Sequence, residues 1–251
     1  MTAQAQTRSL STFATDPPEK AGDHRRWGQL AGSSRALAMT EAARRFSGLT
    51  LVIASTTDEA LAMEQELRFY QSGQGERELL SLPDWETLPY DVFSPHEDII
   101  SRRIQTLHRL PRVTRGILVL PARTLMHRLP PPTFTEGNTL LLATGDTLTI
   151  QPWRERLEAA GYRHAENVHE HGEYAVRGSV IDIFPMGSDD PYRIELFDDE
   201  VETLRTFDPE TQRSRERVER IELLPAHEFP WHEQARLGFR NRWNQWFSEA
   251  P

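Results

Sequence analysis

The chain has 251 residues, a formal net charge of -9, 27% charged residues and a mean hydropathy of -0.60. It contains no cysteine, which excludes disulfides and thiolate metal sites, and no apolar run reaches the roughly 18 residues of a membrane helix. The acidic balance argues against a surface built mainly to hold nucleic-acid phosphates. We therefore expect a cytoplasmic protein of one large or two modest domains, with no membrane segment.

Helical and strand patterns alternate over the first half of the chain. Residues 1–22 lack a long apolar stretch and are predicted to form a disordered leader. Apolar residues at helical spacing then alternate with continuous apolar runs, which are typical of buried parallel strands. The predicted elements are 33–47 (helix), 49–55 (strand), 57–70 (helix), 97–110 (helix) and 116–121 (strand). This order predicts an α/β domain with a parallel sheet over residues 23–132.

A proline cluster at residues 130–134 interrupts this rhythm, because consecutive prolines continue neither a helix nor a central strand. Beyond it, an apolar run and a short helix precede the strand-rich stretch 172–208, and a returning strand is predicted within 217–227. We expect a smaller α+β domain with an antiparallel sheet at 137–224, followed by a truncated return to the first domain at 225–251. The chain closes with a predicted helix that carries four aromatic positions, Phe239, Trp243, Trp246 and Phe247.

One predicted strand, RIELF, has two different faces. Strand alternation places Ile194 and Leu196 together on the side expected to face a core. Arg193, Glu195 and Phe197 then share the opposite face, so that an aromatic side chain is exposed beside a cation and an anion. An exposed aromatic flanked by charge is typical of a protein-interface anchor.

A second arginine precedes a glycine, and the Arg177-Gly178 pair predicts a backbone kink at the start of the next strand. The kink could aim Arg177 away from the sheet towards a partner carboxylate, or Arg177 could pair with a nearby acid such as Glu173. Asp182 and Asp84 are single carboxylates with no partner at a diagnostic spacing. No nucleophile elbow or paired catalytic acid occurs.

A degenerate phosphate-binding loop is the next candidate site. It precedes a predicted helix and consists of Gly32, Ser33, Ser34, Arg35 and Ala36. A working loop ends in Gly-Lys-Ser/Thr, because lysine reaches the phosphate oxygens and the hydroxyl binds magnesium. Arginine stands at the lysine position here and alanine at the hydroxyl position. The pattern therefore favours an ordinary helix start capped by a serine over nucleotide hydrolysis.

For three further groups of residues, a structural role is favoured over a role in binding a metal or nucleic acid. Three histidines cluster without the fixed spacing of a metal site, namely His164, His169 and His171. Residues 84–99 could stack nucleic-acid bases, but their acids and prolines favour a connection whose aromatics cover a sheet edge, namely Trp85, Tyr90 and Phe93. A basic run is expected to be a solvated face of mixed charge, namely Arg213, Arg215, Arg217 and Arg220.

Five long runs carry a family resemblance: DWETLPYD, SPHEDIISRR, HGEYAVRGSVIDIFPMGS, PYRIELFDDEVETLRTFD and LLPAHEFP. With these runs the chain resembles the N-terminal region of bacterial transcription-repair coupling factors (the Mfd family) over about residues 24–248. The runs RGSVIDIFP and RIELFDDEVETLRTFDPET are also similar to segments of the excision-repair protein UvrB.

The resemblance implies a degenerate RecA-like (P-loop-type) parallel-sheet domain with an inserted, smaller α+β domain like the interaction domain of UvrB. The inserted domain would bind UvrA through Arg177, Arg193 and Phe197, with Glu195 on the same face. It would thereby link stalled RNA polymerase to nucleotide excision repair. The degenerate loop agrees with lost nucleotide binding, so we expect a binding module with no catalytic residue, metal or cofactor.

The resemblance also implies what lies outside these residues. In the full-length family, ATP and magnesium serve a motor that moves on double-stranded DNA, RNA polymerase is a further partner, and a C-terminal domain can mask the UvrA-binding surface. The alternative reading is an ATP-dependent enzyme acting on DNA, if the motor belongs to the natural product. The damage-probing hairpin of UvrB would fall at residues 84–99, where this chain has only a short substitute.

Overall fold

The computed structural model describes residues 17–18, 20–71, 77–88, 91–230 and 233–247. The predicted leader, residues 1–22, lies mostly outside these ranges. The chain divides into two compact units, the first formed by residues up to Leu82 with Arg112–Met126 and the second by Pro83–Pro111 with residues from His127 onward. Among the described residues, no helix combines the length and apolar character needed to cross a membrane.

Among its described residues, the first unit has a three-stranded parallel sheet and two α-helices. Its elements are α1 (Ser34–Arg45), β1 (Leu49–Ala54), α2 (Thr57–Gln71), β2 (Glu78–Ser81) and β3 (Gly116–Pro121). The strand order is β1-β3-β2, and β3 pairs in parallel with both neighbours. The predicted α/β class with a parallel sheet is therefore confirmed. The relation of this sheet to the RecA fold stays a prediction.

The core of the first unit lies between the helices and one side of the sheet. Alanines on α1, among them Ala36 and Ala43, and Met63 and Leu67 on α2 pack there against Ile117 of β3. Small side chains on α1 allow the helix to approach its neighbours closely, so few large residues are needed to fill this core. This explains why α1 shows only a weak apolar stripe in the sequence.

The two predicted strands of this unit differ in burial. β3 is buried along its whole length, as a continuous apolar run predicts. β1 was predicted to be buried in the same way, and that is wrong for one of its faces, because Leu51 and Ile53 are exposed while Val52 and Ala54 are buried. An apolar run shows that a strand can be buried on both faces, but it does not show that both faces are covered.

The second unit contains a six-stranded sheet, a two-stranded sheet and four helices among its described residues. Its elements are α3 (Glu97–Arg109), α4 (Pro132–Gly137), β4 (Leu140–Ala143), α5 (Ile150–Ala159), β5 (Arg163–His164), β6 (Glu173–Arg177), β7 (Val180–Ile183), β8 (Tyr192–Phe197), β9 (Glu200–Phe207), β10 (Ser214–Val218), β11 (Arg220–Leu223) and α6 (Glu233–Trp246). The large sheet has the order β10-β9-β8-β7-β6-β5, and β11 pairs with β4. All pairs are antiparallel except β5 with β6. The predicted antiparallel α+β part is confirmed.

The main core of the second unit lies on one face of the six-stranded sheet, which we call the inner face. Ile181 of β7 and Ile194 of β8 are fully buried there with Leu157 of α5 and Ile104 of α3. α3 therefore belongs to the second unit, although the sequence placed it in the first domain. The predicted domain boundaries, 23–132, 137–224 and 225–251, stay predictions.

A buried ion pair further connects α3 to the end of the second unit. Arg103 and Glu228 have almost no exposed side-chain surface, and Arg103 Nη2 donates to Glu228 Oε2 at 3.0 Å. Trp85 Nε1 donates to Glu228 Oε1 at 2.9 Å, and the Arg103 guanidinium lies 4.9 Å from the Trp85 ring centre. Each buried charge thus has a partner, which is what makes its burial tolerable.

The predicted C-terminal helix is confirmed as α6, which ends at Trp246. None of its described side chains is buried. Phe239, Trp243 and Phe247 follow one another along one side with their rings tilted by 38°, and the ring centres are 5.8 and 4.3 Å apart. Arg240 is exposed and lines the same surface depression as Phe239 and Trp243, so α6 is an exposed helix with an aromatic stripe.

Candidate protein-binding face

The face of the six-stranded sheet opposite its main core, called the outer face below, carries the residues that the sequence singled out. On β8, Ile194 and Leu196 are buried in the core, whereas Phe197 is 70% exposed. Arg193 and Glu195 alternate with the buried pair and lie on the outer face with Phe197. The predicted division of RIELF into two faces is confirmed.

Asp182 on β7 holds two arginines together on this face. Its carboxylate accepts from Arg193 Nε at 2.7 Å and from Arg193 Nη2 at 2.9 Å, and Arg177 Nη2 donates to the same carboxylate. Asp182 is 1% exposed. A buried carboxylate between two guanidiniums is a strong, geometrically specific arrangement, because each contact is a charge-assisted hydrogen bond.

Of the two alternatives for Arg177, the structure shows pairing with a nearby acid, but that acid is Asp182 and not Glu173, whose carboxylate accepts from Arg163. The sequence found no catalytic partner for Asp182, and it did not identify the two arginines that this carboxylate joins. The kink at Gly178 does occur, with φ of +63°, but it forms a tight β6–β7 turn that leaves Arg177 pointing back along the face.

Arg193 is the more firmly held of the two arginines. Its guanidinium lies 4.9 Å from the ring centre of buried Phe207, and its Nη1 donates to the Gln212 carbonyl at 3.1 Å. The hydrogen bonds to Asp182 raise the pKa of Arg193 above its usual value. Only 15% of the Arg193 side chain is exposed, against 46% for Arg177, so Arg177 is the cation that a partner could reach more easily.

Glu195 and Phe197 complete the face towards the end of β8. The Thr203 hydroxyl on β9 donates to the Glu195 carboxylate, so this acid is oriented by a neighbouring strand. The β8–β9 register shifts after Glu195, and the hairpin then turns at Asp198, whose φ is +53°. Phe197 therefore stands at the rim of the sheet next to a tight turn. Its exposed ring lies on the same face as the two arginines.

The degenerate loop lies in the first unit and has a different architecture from a phosphate-binding loop. No strand precedes it among residues 20–33, so the strand–loop–helix order of a P-loop does not occur there. Gly32 has φ of +53°, and Ala36 is completely buried and has no side-chain oxygen to offer a metal. These features fit the predicted absence of a magnesium hydroxyl.

The serine cap predicted for α1 is not formed in the expected way. Ser33 stands at the cap position, but its side chain makes no cap hydrogen bond and lies 3.0 Å from the Tyr70 hydroxyl. Arg35 donates to Glu59 at 2.8 Å, so the residue at the lysine position is engaged in an ion pair. Hydrogen bonds from Ser55, and then from Arg35, lower the pKa of Glu59 to about 2.

The remaining candidates are the histidine cluster and the aromatic residues of segment 84–99. His171 lies 2.8 Å from Asp98 and 2.8 Å from the Ser188 carbonyl. No group of three or more potential metal-binding side chains occurs in the described part of the chain. Trp85 packs on Arg103, but Phe93 is 82% exposed, which contradicts its predicted role in covering a sheet edge. Tyr90 lies outside the described residues.

Comparison with known proteins is consistent with this architecture. Residues 140–229, which include the whole candidate face, match the UvrB interaction domain. The chain is 46% identical over 230 residues to the transcription-repair-coupling factor of Escherichia coli and 44% identical over 237 residues to that of Haemophilus influenzae, covering 92% and 94% of this chain. The relative from Myxococcus xanthus is 30% identical over 83% of this chain. The chain spans about a fifth of the length of these relatives. The resemblance to the UvrB-like N-terminal region of transcription-repair coupling factors is thus confirmed.

Proposed function

We propose, from the premise that residues 140–229 form a UvrB interaction domain, that this chain is a UvrA-binding module of a transcription-repair coupling factor. In this role it recruits the excision machinery to a stalled RNA polymerase in the cytoplasm. Contacts with RNA polymerase and with double-stranded DNA are assigned to the remaining four fifths of such proteins, which these residues do not cover.

One observation carries the proposal: Phe197 is exposed at the rim of a sheet face on which Asp182 holds two arginines in fixed positions. Interface anchors are typically large aromatics or arginines whose positions are set before binding, since ordering flexible side chains weakens association. Arg193 is held by Asp182 and Phe207, and it needs little further ordering.

Each residue of the face has a specific role in this proposal. The Phe197 ring enters an apolar pocket on UvrA, where its exposed surface is removed from water. Arg177 directs its remaining donors to a carboxylate on UvrA, because a guanidinium has five N–H groups and only part of them are used by Asp182 and Asn167. Glu195, oriented by Thr203, lies between Arg193 and Phe197 along β8 and accepts a hydrogen bond from UvrA at the rim.

The module needs no catalytic chemistry of its own. We assign no nucleotide to the loop at Gly32–Ala36, where Arg35 is paired with Glu59 and Ala36 has no side-chain oxygen for a metal. The alternative function, an ATP-dependent enzyme acting on DNA, requires nucleotide binding at this loop. Titration calorimetry with Mg-ATP tests it, and saturable micromolar binding would favour the alternative.

The deciding experiment is the binding of Phe197→Ala to UvrA, measured by surface plasmon resonance. We expect Kd to rise by roughly 30- to 700-fold, which corresponds to the loss of about 2–4 kcal/mol for a central anchor. Phe93→Ala is the matched control, since Phe93 is a phenylalanine of the same unit that is also mostly exposed and is not part of any strand of the six-stranded sheet. The thermal melting curve should be unchanged in both variants. Equal affinity of Phe197→Ala and wild type would refute the proposal.

A further inference from the structure

Three arginines lie side by side on the outer face of the six-stranded sheet. In the strand register Arg193 of β8 is opposite Arg205 of β9, and Arg205 is opposite Arg217 of β10. Side chains at opposed positions of paired strands point to the same face, with strands about 4.8 Å apart. The next register pair, Val218 with Leu204, has its side chains on the core side. We call Arg193, Arg205 and Arg217 the arginine row.

Two members of the arginine row have no counter-charge within the described chain. Among the described residues, no hydrogen bond or ion pair is formed by the side chains of Arg205 and Arg217. Arg215, only two residues from Arg217, pairs with both Asp190 and Asp208. Like charges directly opposite each other on neighbouring strands oppose the fold. The arginine row therefore places two arginines without an ion-pair partner in the part of the chain that the structure describes, Arg205 and Arg217, beside Arg193 on the candidate face.

We propose that the arginine row extends the UvrA-binding face to the edge strand β10 and receives a row of carboxylates on UvrA. This inference rests on the proposed function and defines the chemistry of its partner surface. The row runs across the strands from Arg193, whereas Arg193, Glu195 and Phe197 run along β8. The two lines share Arg193, so the face is L-shaped, with an apolar anchor at one end and an exposed cation at the other.

The partner chemistry is carboxylate and not nucleic-acid phosphate because acids lie close to the row. Asp182 and Glu195 are on the same face, and the β8–β9 hairpin exposes Asp198, Asp199 and Glu200 next to Phe197. A polyphosphate backbone crossing this face would approach these acids, whereas separate protein carboxylates can be placed on the arginines alone. The guanidinium fork also matches a carboxylate with two parallel hydrogen bonds.

The test is the association rate with UvrA for Arg217→Glu and Arg205→Glu, measured by stopped-flow fluorescence at low and high salt. We expect kon at low salt to fall by about tenfold for each variant, because charge pairs at the edge of an interface act mainly on steering. The loss should shrink at high salt. Arg156→Glu makes the same charge change on α5, where neighbouring Trp153 and Leu157 pack into the main core, and it should leave kon unchanged. Arg217 is exposed, so its substitution tests the row even if Arg205→Glu impairs folding.

The outcomes separate the arginine row from the proposed function. If Phe197→Ala weakens binding while both row variants behave like Arg156→Glu, the arginine row is refuted and the UvrA-binding function stands. If wild type does not bind UvrA, both are refuted. Fluorescence anisotropy with a labelled DNA duplex gives the remaining comparison: binding by wild type that Arg205→Glu and Arg217→Glu abolish would make the row a nucleic-acid surface and overturn this inference.

Discussion

Asp182 should be essential to the outer face, and Asp182→Asn tests this directly. The substitution keeps the size and one acceptor oxygen of the side chain, but it removes the negative charge between two guanidiniums. The new amide group is a donor, and it faces arginine donors that can accept nothing in return. Arg177 and Arg193 would then repel each other across the side chain at position 182, which is 1% exposed.

The expected loss follows from the burial of the three side chains. Removing one partner of a fully buried ion pair costs about 3–5 kcal/mol. Arg193 is close to that case, with 15% of its side chain exposed, whereas Arg177 is 46% exposed and can be solvated by water when its partner is lost. We therefore expect Asp182→Asn to lower the free energy of unfolding by about 2–3 kcal/mol.

Double-mutant cycles measure separately how strongly Asp182 interacts with Arg193 and with Arg177. Urea unfolding followed by circular dichroism would be measured for Asp182→Asn, Arg193→Ala, Arg177→Ala and the two double variants. The coupling energy should be about 2 kcal/mol for Asp182 with Arg193 and about 0.5–1 kcal/mol for Asp182 with Arg177. Equal couplings, or a neutral Asp182→Asn, would refute the reasoning that burial sets the strength of each contact.

Two further predictions concern the first unit. Because hydrogen bonds from Ser55 lower the pKa of Glu59 from 4.5 to about 2, the stabilisation by its carboxylate is complete above pH 4.5 and is lost as pH falls towards 2. The melting temperatures of wild type and Glu59→Gln should therefore differ near neutral pH and converge in acid; a difference that stays constant down to pH 2.5 would contradict this. A Cβ at Gly116 would lie 2.5 Å from the Glu78 carbonyl oxygen, so Gly116→Ala must separate β2 from β3 and should cost about 2 kcal/mol or more in urea unfolding. Gly238→Ala on α6, with nothing within 4 Å, should cost nothing, and equal losses at both glycines would refute the clash.

The elements with strong periodicity were predictable from the sequence alone. α3 and β3 occur within a residue or two of the predicted bounds, since their apolar spacing is long and regular. β2 was not predicted, because four residues are too few to establish a period. The exposed face of β1 was not predictable either, because its apolar residues do not indicate whether another element covers them.

For the candidate face too, the sequence determined some features and the tertiary structure determined the others. Alternation within β8 determined by itself that Arg193, Glu195 and Phe197 share a face, because side chains of a strand point alternately to its two sides. Only the tertiary structure decided that Asp182 lies opposite Arg193 and that Arg205 follows on the next strand. Strand register depends on turn geometry and on bulges such as the one after Glu195, and a shift of one residue would have turned these side chains to the opposite face.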